Sequence, residues 1–255
     1  MGFGGAVWFF ACAFGRVSDL IQRHHTGNHL ESAPSSAVPR SRKALSRAER
    51  EELDVASRFS VLRTRLLQEM NRQRWRRLGV CPITDGAGAT YVAANLALAA
   101  ARLPNSDVLL VDLALGHPSV AMQMGIAGDF RFISYLRGED LQPDEFVTRI
   151  EGDANLRCFT SGRAIPGGAE LLQDEVTRER IDRLVAESGC DLAIFDLSPV
   201  LGTDEGLAGL PVMDAVLLVA DGRAGNGQQV TDCQRLLADM PPLLGVVLNK
   251  AEDMG

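Results

Sequence analysis

The chain has 255 residues, 46% hydrophobic and 23% charged, enough for one α/β domain with a substantial core plus a tail. Its five cysteines, Cys12, Cys81, Cys158, Cys190 and Cys233, form no CxxC pair. That excludes a cysteine-built zinc site, an iron–sulfur carrier and a disulfide framework, and it fits a reducing cytoplasm. The net charge of −7 divides unevenly: residues 40–78 carry twelve basic and five acidic groups, and residues 79–255 carry twelve and twenty-six. A basic arm ahead of an acidic domain suits an anionic lipid surface, an acidic partner or the domain itself, or is simply a solvated mixed-charge helix; no nucleic-acid partner is expected.

In chain order, residues 1–25 open with the apolar run GFGGAVWFFACAF. It is shorter than the about 20 apolar residues that span a bilayer, and without a basic leader or cleavage site it makes a poor secretory signal. An interfacial anchor or a start-site artefact is left, the latter being the simpler account. Residues 26–50 form a basic linker containing Ser and Pro, expected to be disordered through residue 46. His24, His25 and His29 fall at its edge with no carboxylate or thiol nearby to complete a metal site. From residue 51 to 255 the pattern is that of one domain. Phe59, Leu62, Leu66, Leu67 and Met70 recur at helical spacing and predict an amphipathic helix over residues 53–77.

An apolar strand follows at 78–83, then a glycine-containing turn, then an Ala-rich helix at 90–102. Residues 108–112 and 192–196 read as short buried strands, each ending on a carboxylate, Asp112 and Asp196. Further strands are expected at 155–160, 215–221 and 243–249. Continuous apolar strands alternating with helices predict a doubly wound, mainly parallel α/β sheet covered on both faces. Ligands bind such sheets beyond the carboxyl ends of the strands, which places the turn at 84–90, Asp112 and Asp196 on one edge.

The turn, CPITDGAGATYVAANLA, has part of a phosphate loop. In a full GxxxxGK[ST] loop, backbone N–H groups and the helix N-terminus cradle phosphate, the lysine neutralises charge and the hydroxyl holds Mg²⁺. Gly86, Gly88 and Thr90 are present, and Ala89 stands where the lysine belongs. Each survivor also has an ordinary structural use: the glycines for a tight turn, Thr90 as a first-turn residue, Asp112 and Asp196 as caps, and Asn249 as a turn residue.

The stretches LRTRLL, GAGATYVAANLA, LLVDLALGHPSV, SGRAIPGGAELL, AIFDLSPVLGTDE, DAVLLVADGRAGNGQQV and LLGVVLNK occur in order between residues 62 and 250. Together they resemble the bacterial tyrosine kinases of capsule and exopolysaccharide synthesis, relatives of the MinD/ParA P-loop ATPases. The resemblance implies ATP or ADP bound at Gly86, Gly88, Ala89, Thr90 and Asn249, the last near the base. It also implies Mg²⁺ on Thr90, Asp112 and Asp196, with the two aspartates as the catalytic candidates.

Several departures fall on residues the family uses. Ala87 and Ala89 replace the loop's glutamate and lysine; Ala114 and Gly116 replace an aspartate and an arginine after Asp112; Leu197-Ser198-Pro199 follows Asp196 where two prolines are usual. Of an N-terminal assembly element only Arg63 survives, with Ser57 and Ser60 at the other positions. A tyrosine-rich tail is missing, and the two tyrosines, Tyr91 and Tyr135, lie within the domain. The chain's two lysines, Lys43 and Lys250, are outside the loop, and Arg163 and Arg223 are the conceivable stand-ins for the missing charge. Phosphoryl transfer rests on positioning and charge neutralisation, and losing one partner of a desolvated charge pair costs about 2–5 kcal/mol.

The expectation is therefore a catalytically impaired family member, a pseudokinase. It would act in the cytoplasm or at the inner face of the plasma membrane, on a membrane-embedded polysaccharide chain-length regulator, on its cytoplasmic tail, or on homologous kinase subunits. The alternatives are a weakly active ATPase or autokinase and a MinD/ParA-like positioning ATPase; for the latter, Thr84 stands near the place of the group's signature lysine.

Overall fold

The computed structural model describes residues 9–12, 47–150 and 153–251. Its sheet has eight strands: β1 (Phe9–Cys12), β2 (Arg77–Pro82), β3 (Val108–Asp112), β4 (Thr148–Ile150), β5 (Asp153–Phe159), β6 (Leu192–Asp196), β7 (Ala215–Asp221) and β8 (Leu243–Asn249). The spatial order is β1-β8-β7-β2-β6-β3-β5-β4, and every pairing is parallel except β4 with β5. The helices are α1 (Arg47–Gln73), α2 (Ala89–Ala101), α3 (Val120–Met124), α4 (Arg131–Leu136), α5 (Gly168–Gln173), α6 (Glu175–Ser188), α7 (Asp204–Ala208) and α8 (Gly227–Leu236).

The doubly wound parallel sheet follows from strands apolar on both sides. In β3, Val108 and Leu110 join the core on one face while Leu109 and Val111 join the core on the other, the two-residue alternation of a strand. Helices α1 and α2 cover the first face; α4, α5, α6, α7 and α8 contribute to the second. Helix α1 lays Phe59, Leu62, Leu66 and Met70 on α2, with the Phe59 and Tyr91 rings edge to face at 5.9 Å. Arg63 donates to the Ala99 carbonyl at 2.8 Å, which fastens α1 to the last turn of α2.

Beyond shifts of a residue or two at element ends, α1, β1 and β4 differ from the sequence reading. Helix α1 begins at Arg47 and ends at Gln73, earlier at both ends than the apolar repeat predicts. The preceding residues, RAEREE, are strong helix formers that need no apolar face to join it, while Arg74 at φ 60 turns the chain into β2. The N-terminal apolar run supplies β1, which pairs in parallel with β8 through Phe9–Val246 to Cys12–Asn249. The rest of residues 1–25, the linker to residue 46 and the three clustered histidines lie outside the described residues. No helix among the described residues is long and apolar enough to cross a membrane.

Candidate functional site

Strands β2, β3, β6, β7 and β8 run in one direction, so their carboxyl ends share an edge. The turn from β2 to α2 lies on that edge, and two of its glycines have the left-handed backbone that suits glycine: Gly86 at φ 74 and Gly88 at φ 86. Gly88 is the N-cap of α2 and has a second reason to lack a side chain. A Cβ there would fall 2.3 Å from Asn249 Nδ2. Gly88→Ala is expected to destabilise the domain by about 2 kcal/mol, from left-handed strain and displacement of the Asn249 amide. Urea unfolding checks this, and an unchanged midpoint would mean that the loop relaxes without resistance.

Asp112 and Asp196 are register partners on β3 and β6, and both are buried. Asp112 Oδ2 accepts from the Val120 N–H at 3.1 Å and from Thr160 Oγ1 at 2.9 Å. Asp196 Oδ2 accepts from Thr90 Oγ1 at 2.7 Å. The expected capping role therefore exists for Asp112, which holds the first N–H of α3, and Thr90 ties the first turn of α2 to β6. Burial pushes the Asp112 carboxyl up to about 7, against the lowering effect of its hydrogen bonds. Burial also raises Asp196 well above the carboxylate range, and the charge of Asp112 adds to it.

The remaining oxygens bear on a bound group. Asp112 Oδ1, Asp196 Oδ1 and Asn249 Oδ1 are buried and have no hydrogen-bond partner. Neighbouring carboxylate oxygens beside the Thr90 hydroxyl are the donor chemistry that Mg²⁺ takes. Asn249 Nδ2 donates to the Ala87 carbonyl at 2.9 Å, so its orphaned Oδ1 is held at the loop, where a ligand N–H would satisfy it. The residues present fit a nucleotide with its metal, and all the sequence-derived site residues, Gly86, Gly88, Ala89, Thr90, Asp112, Asp196 and Asn249, meet on this edge.

Several contacts at the site were not part of the sequence reading. Lys250, on the residue after β8, donates from Nζ to the Gly86 carbonyl at 2.6 Å and to Asp221 Oδ2 at 2.8 Å. Arg163, one conceivable stand-in cation, instead stacks on Phe130 with its guanidinium carbon 3.7 Å from the ring centre. Asp85 accepts from the Gly86 N–H at 2.8 Å, so one loop donor is met by the chain's own carboxylate. Glu205 accepts from the Gly116 N–H at 3.1 and 3.2 Å and from Ser198 Oγ at 2.8 Å. The signal for Glu205 was glycine: a Cβ on Gly168 would lie 2.6 Å from its Oε2.

A parallel doubly wound sheet with a glycine-containing strand–loop–helix turn and carboxylates on the two neighbouring strand ends is a P-loop NTPase-like α/β fold of the ParA/MinD kind. Among solved structures, it is similar to the kinase domain of the Escherichia coli tyrosine kinase ETK, with TM-score 0.74, 20% identity, and coverage of 99% of this chain and 92% of that one. It is also similar to the kinase domain of VpsO, with TM-score 0.69, 23% identity, and coverage of 80% and 98%. A ParA family ATPase from Chlorobium tepidum matches with TM-score 0.53, 21% identity, and coverage of 71% and 76%. No protein-family model matches the chain, and no curated protein sequence does. At these identities the likeness establishes the fold, and it agrees with the family that the sequence motifs resemble.

Proposed function

We propose that the chain is a catalytically impaired member of the exopolysaccharide tyrosine autokinase family. It serves as a cytoplasmic regulator or assembly partner in polysaccharide polymerisation or export. The observation that carries this reading is at position 89: the phosphate loop has kept its shape through Gly86 and Gly88, yet the residue that begins α2 is a buried alanine. Ala114 and Gly116, on the segment after β3, add no charged group to replace it. What the loop retains suits holding a nucleotide more than transferring its phosphate. In this reading the turn at Gly86 and the backbone N–H groups of Gly88 and Ala89 hold the phosphates, the Gly86 N–H being taken by Asp85. Thr90, Asp112 and Asp196 take Mg²⁺, and Asn249 meets the base.

The partner in this reading is the cytoplasmic tail of a membrane-embedded chain-length regulator, or a homologous active kinase subunit. The test is paired. The purified chain is given Mg²⁺ and ATP and assayed for phosphotransfer, and it is titrated against such a tail and such a kinase. Absent transfer with saturable binding to either supports the reading, and transfer at the rate of an active kinase sinks it. One observation favours a weak ATPase instead: Thr90, Asp196 and Asp112 remain assembled on one edge. That alternative requires magnesium-dependent turnover that disappears in Asp112→Ala. A ParA/MinD-like positioning role requires binding to liposomes without any polymerisation partner.

A further inference from the structure

Lys250 sits at φ 58, a left-handed backbone that a lysine rarely adopts. That turn brings its side chain back from β8 across β7 to the phosphate loop, 164 positions earlier in sequence. Nζ lies 2.6 Å from the Gly86 carbonyl oxygen, and Asp221 at the end of β7 supplies the second contact at 2.8 Å. The ammonium holds the Asp221 carboxyl below its ordinary range. Asp221 is fixed by its own turn, since its Oδ1 accepts from the N–H groups of Arg223 and Ala224 at 2.8 and 3.1 Å.

One residue before Lys250, the Asn249 side chain is buried against the loop with an unpartnered acceptor oxygen. The end of β8 therefore places a compact cation and an unmet acceptor on a loop whose own sequence carries an acid, Asp85, and no base. We propose that Lys250 supplies the positive charge this phosphate loop lacks at position 89, reaching it from β8, and that the ligand it helps bind carries a diphosphate group. An ammonium is compact, strongly charged and has three donors, so it can turn towards an incoming anion while Asp221 sets its resting position. The inference rests on the reading that the loop holds a nucleotide, and it does not depend on whether phosphate is transferred.

The experiment is calorimetric titration of the full chain with ADP and, separately, with inorganic pyrophosphate, in the presence of Mg²⁺. Wild type is compared with Lys250→Met and Asp221→Asn, and thermal unfolding of each variant is recorded. Methionine keeps most of the alkyl stem, and asparagine keeps the Oδ1 acceptor for the 223–224 turn. The expected result is that K250M loses roughly ten- to a hundredfold in affinity, the worth of one charged hydrogen bond. D221N, freed of the competing carboxylate, binds as tightly as wild type or more tightly. Loss of ADP affinity in K250M with no pyrophosphate binding by any form also supports the proposal and identifies the ligand as a nucleoside diphosphate.

Equal affinity of K250M and wild type overturns it and leaves the regulator reading intact. Equal weakening by K250M and D221N overturns it in favour of a brace between β7 and the loop. No binding of either compound by wild type at millimolar concentration overturns both the inference and the nucleotide-holding reading, and phosphotransfer assays still decide the pseudokinase reading separately.

Discussion

Asp112→Asn is expected to stabilise the domain at pH 8 and to flatten its stability between pH 4 and 7. The cause is the burial of two adjacent carboxyls, register partners on β3 and β6. Because the Asp112 carboxyl is raised to about 7 in the fold, the native state keeps a proton that the unfolded chain releases near pH 4. Over that window the native state binds more protons, so stability is fully present below about pH 4 and falls as pH rises towards 7. Asp196 is raised in the same direction, by burial first and then by the charge of Asp112, and adds to the decline.

For Asp112 alone the loss amounts to about 4 kcal/mol at most, a large part of the stability of an ordinary domain. Asparagine retains an acceptor for Val120 and Thr160 and can donate towards Asp196. Chemical denaturation from pH 4 to 8 measures the slope in both proteins. A wild-type stability that holds constant or rises over this range, or a D112N that is less stable at pH 8, contradicts the account. Adding Mg²⁺ at pH 8 should recover part of the same stability if the carboxylates take the ion, by mass action.

The second expected result concerns tyrosine. The folded chain should acquire no phosphotyrosine, whether incubated alone with Mg²⁺ and ATP or with an active tyrosine kinase. Its two tyrosines are both in the core: Tyr91 is 5% exposed and Tyr135 is fully buried. Tyr91 packs its ring on Phe59 beneath α1. The Tyr135 hydroxyl donates to the Arg180 carbonyl at 2.9 Å, and burial raises its pKa. Reaching either hydroxyl requires opening a helix from the sheet, so the modified fraction should follow unfolding and rise only in denaturant. Mass spectrometry of the intact chain reads this directly. Stoichiometric phosphotyrosine in the native protein would show that one of these helices opens readily.

The fold was legible wherever buried parallel strands leave a continuous apolar run. Residues 108–112, 192–196, 215–221 and 243–249 match β3, β6, β7 and β8. Strand β4, three residues reading TRI, has no such signature and exists by pairing antiparallel with β5. Strand β1 escaped because an apolar run at a terminus has several uses, and its register with β8 is a tertiary fact. At the site, spacing was enough to bring Gly86, Gly88, Thr90, Asp112 and Asp196 to one edge, since each sits at a strand end or the loop after one. Lys250 was not legible, because its contact depends on β8 lying beside β7 and on a backbone turn that lysine seldom takes. Thr160 and Glu205 were hidden for a related reason: Thr160 meets Asp112 from the end of the neighbouring strand β5, and Glu205 meets Gly116 and Ser198 from α7.

Helix α2 has every residue except Thr90 in the core. Its position is fixed by packing under α1 and against the sheet, and the loop simply ends where that rod begins. The demands of folding alone therefore preserve the shape of this turn, whichever side chains it carries. Architecture here is insensitive to which side chain stands at position 89, so selection can act on that side chain without cost to the fold.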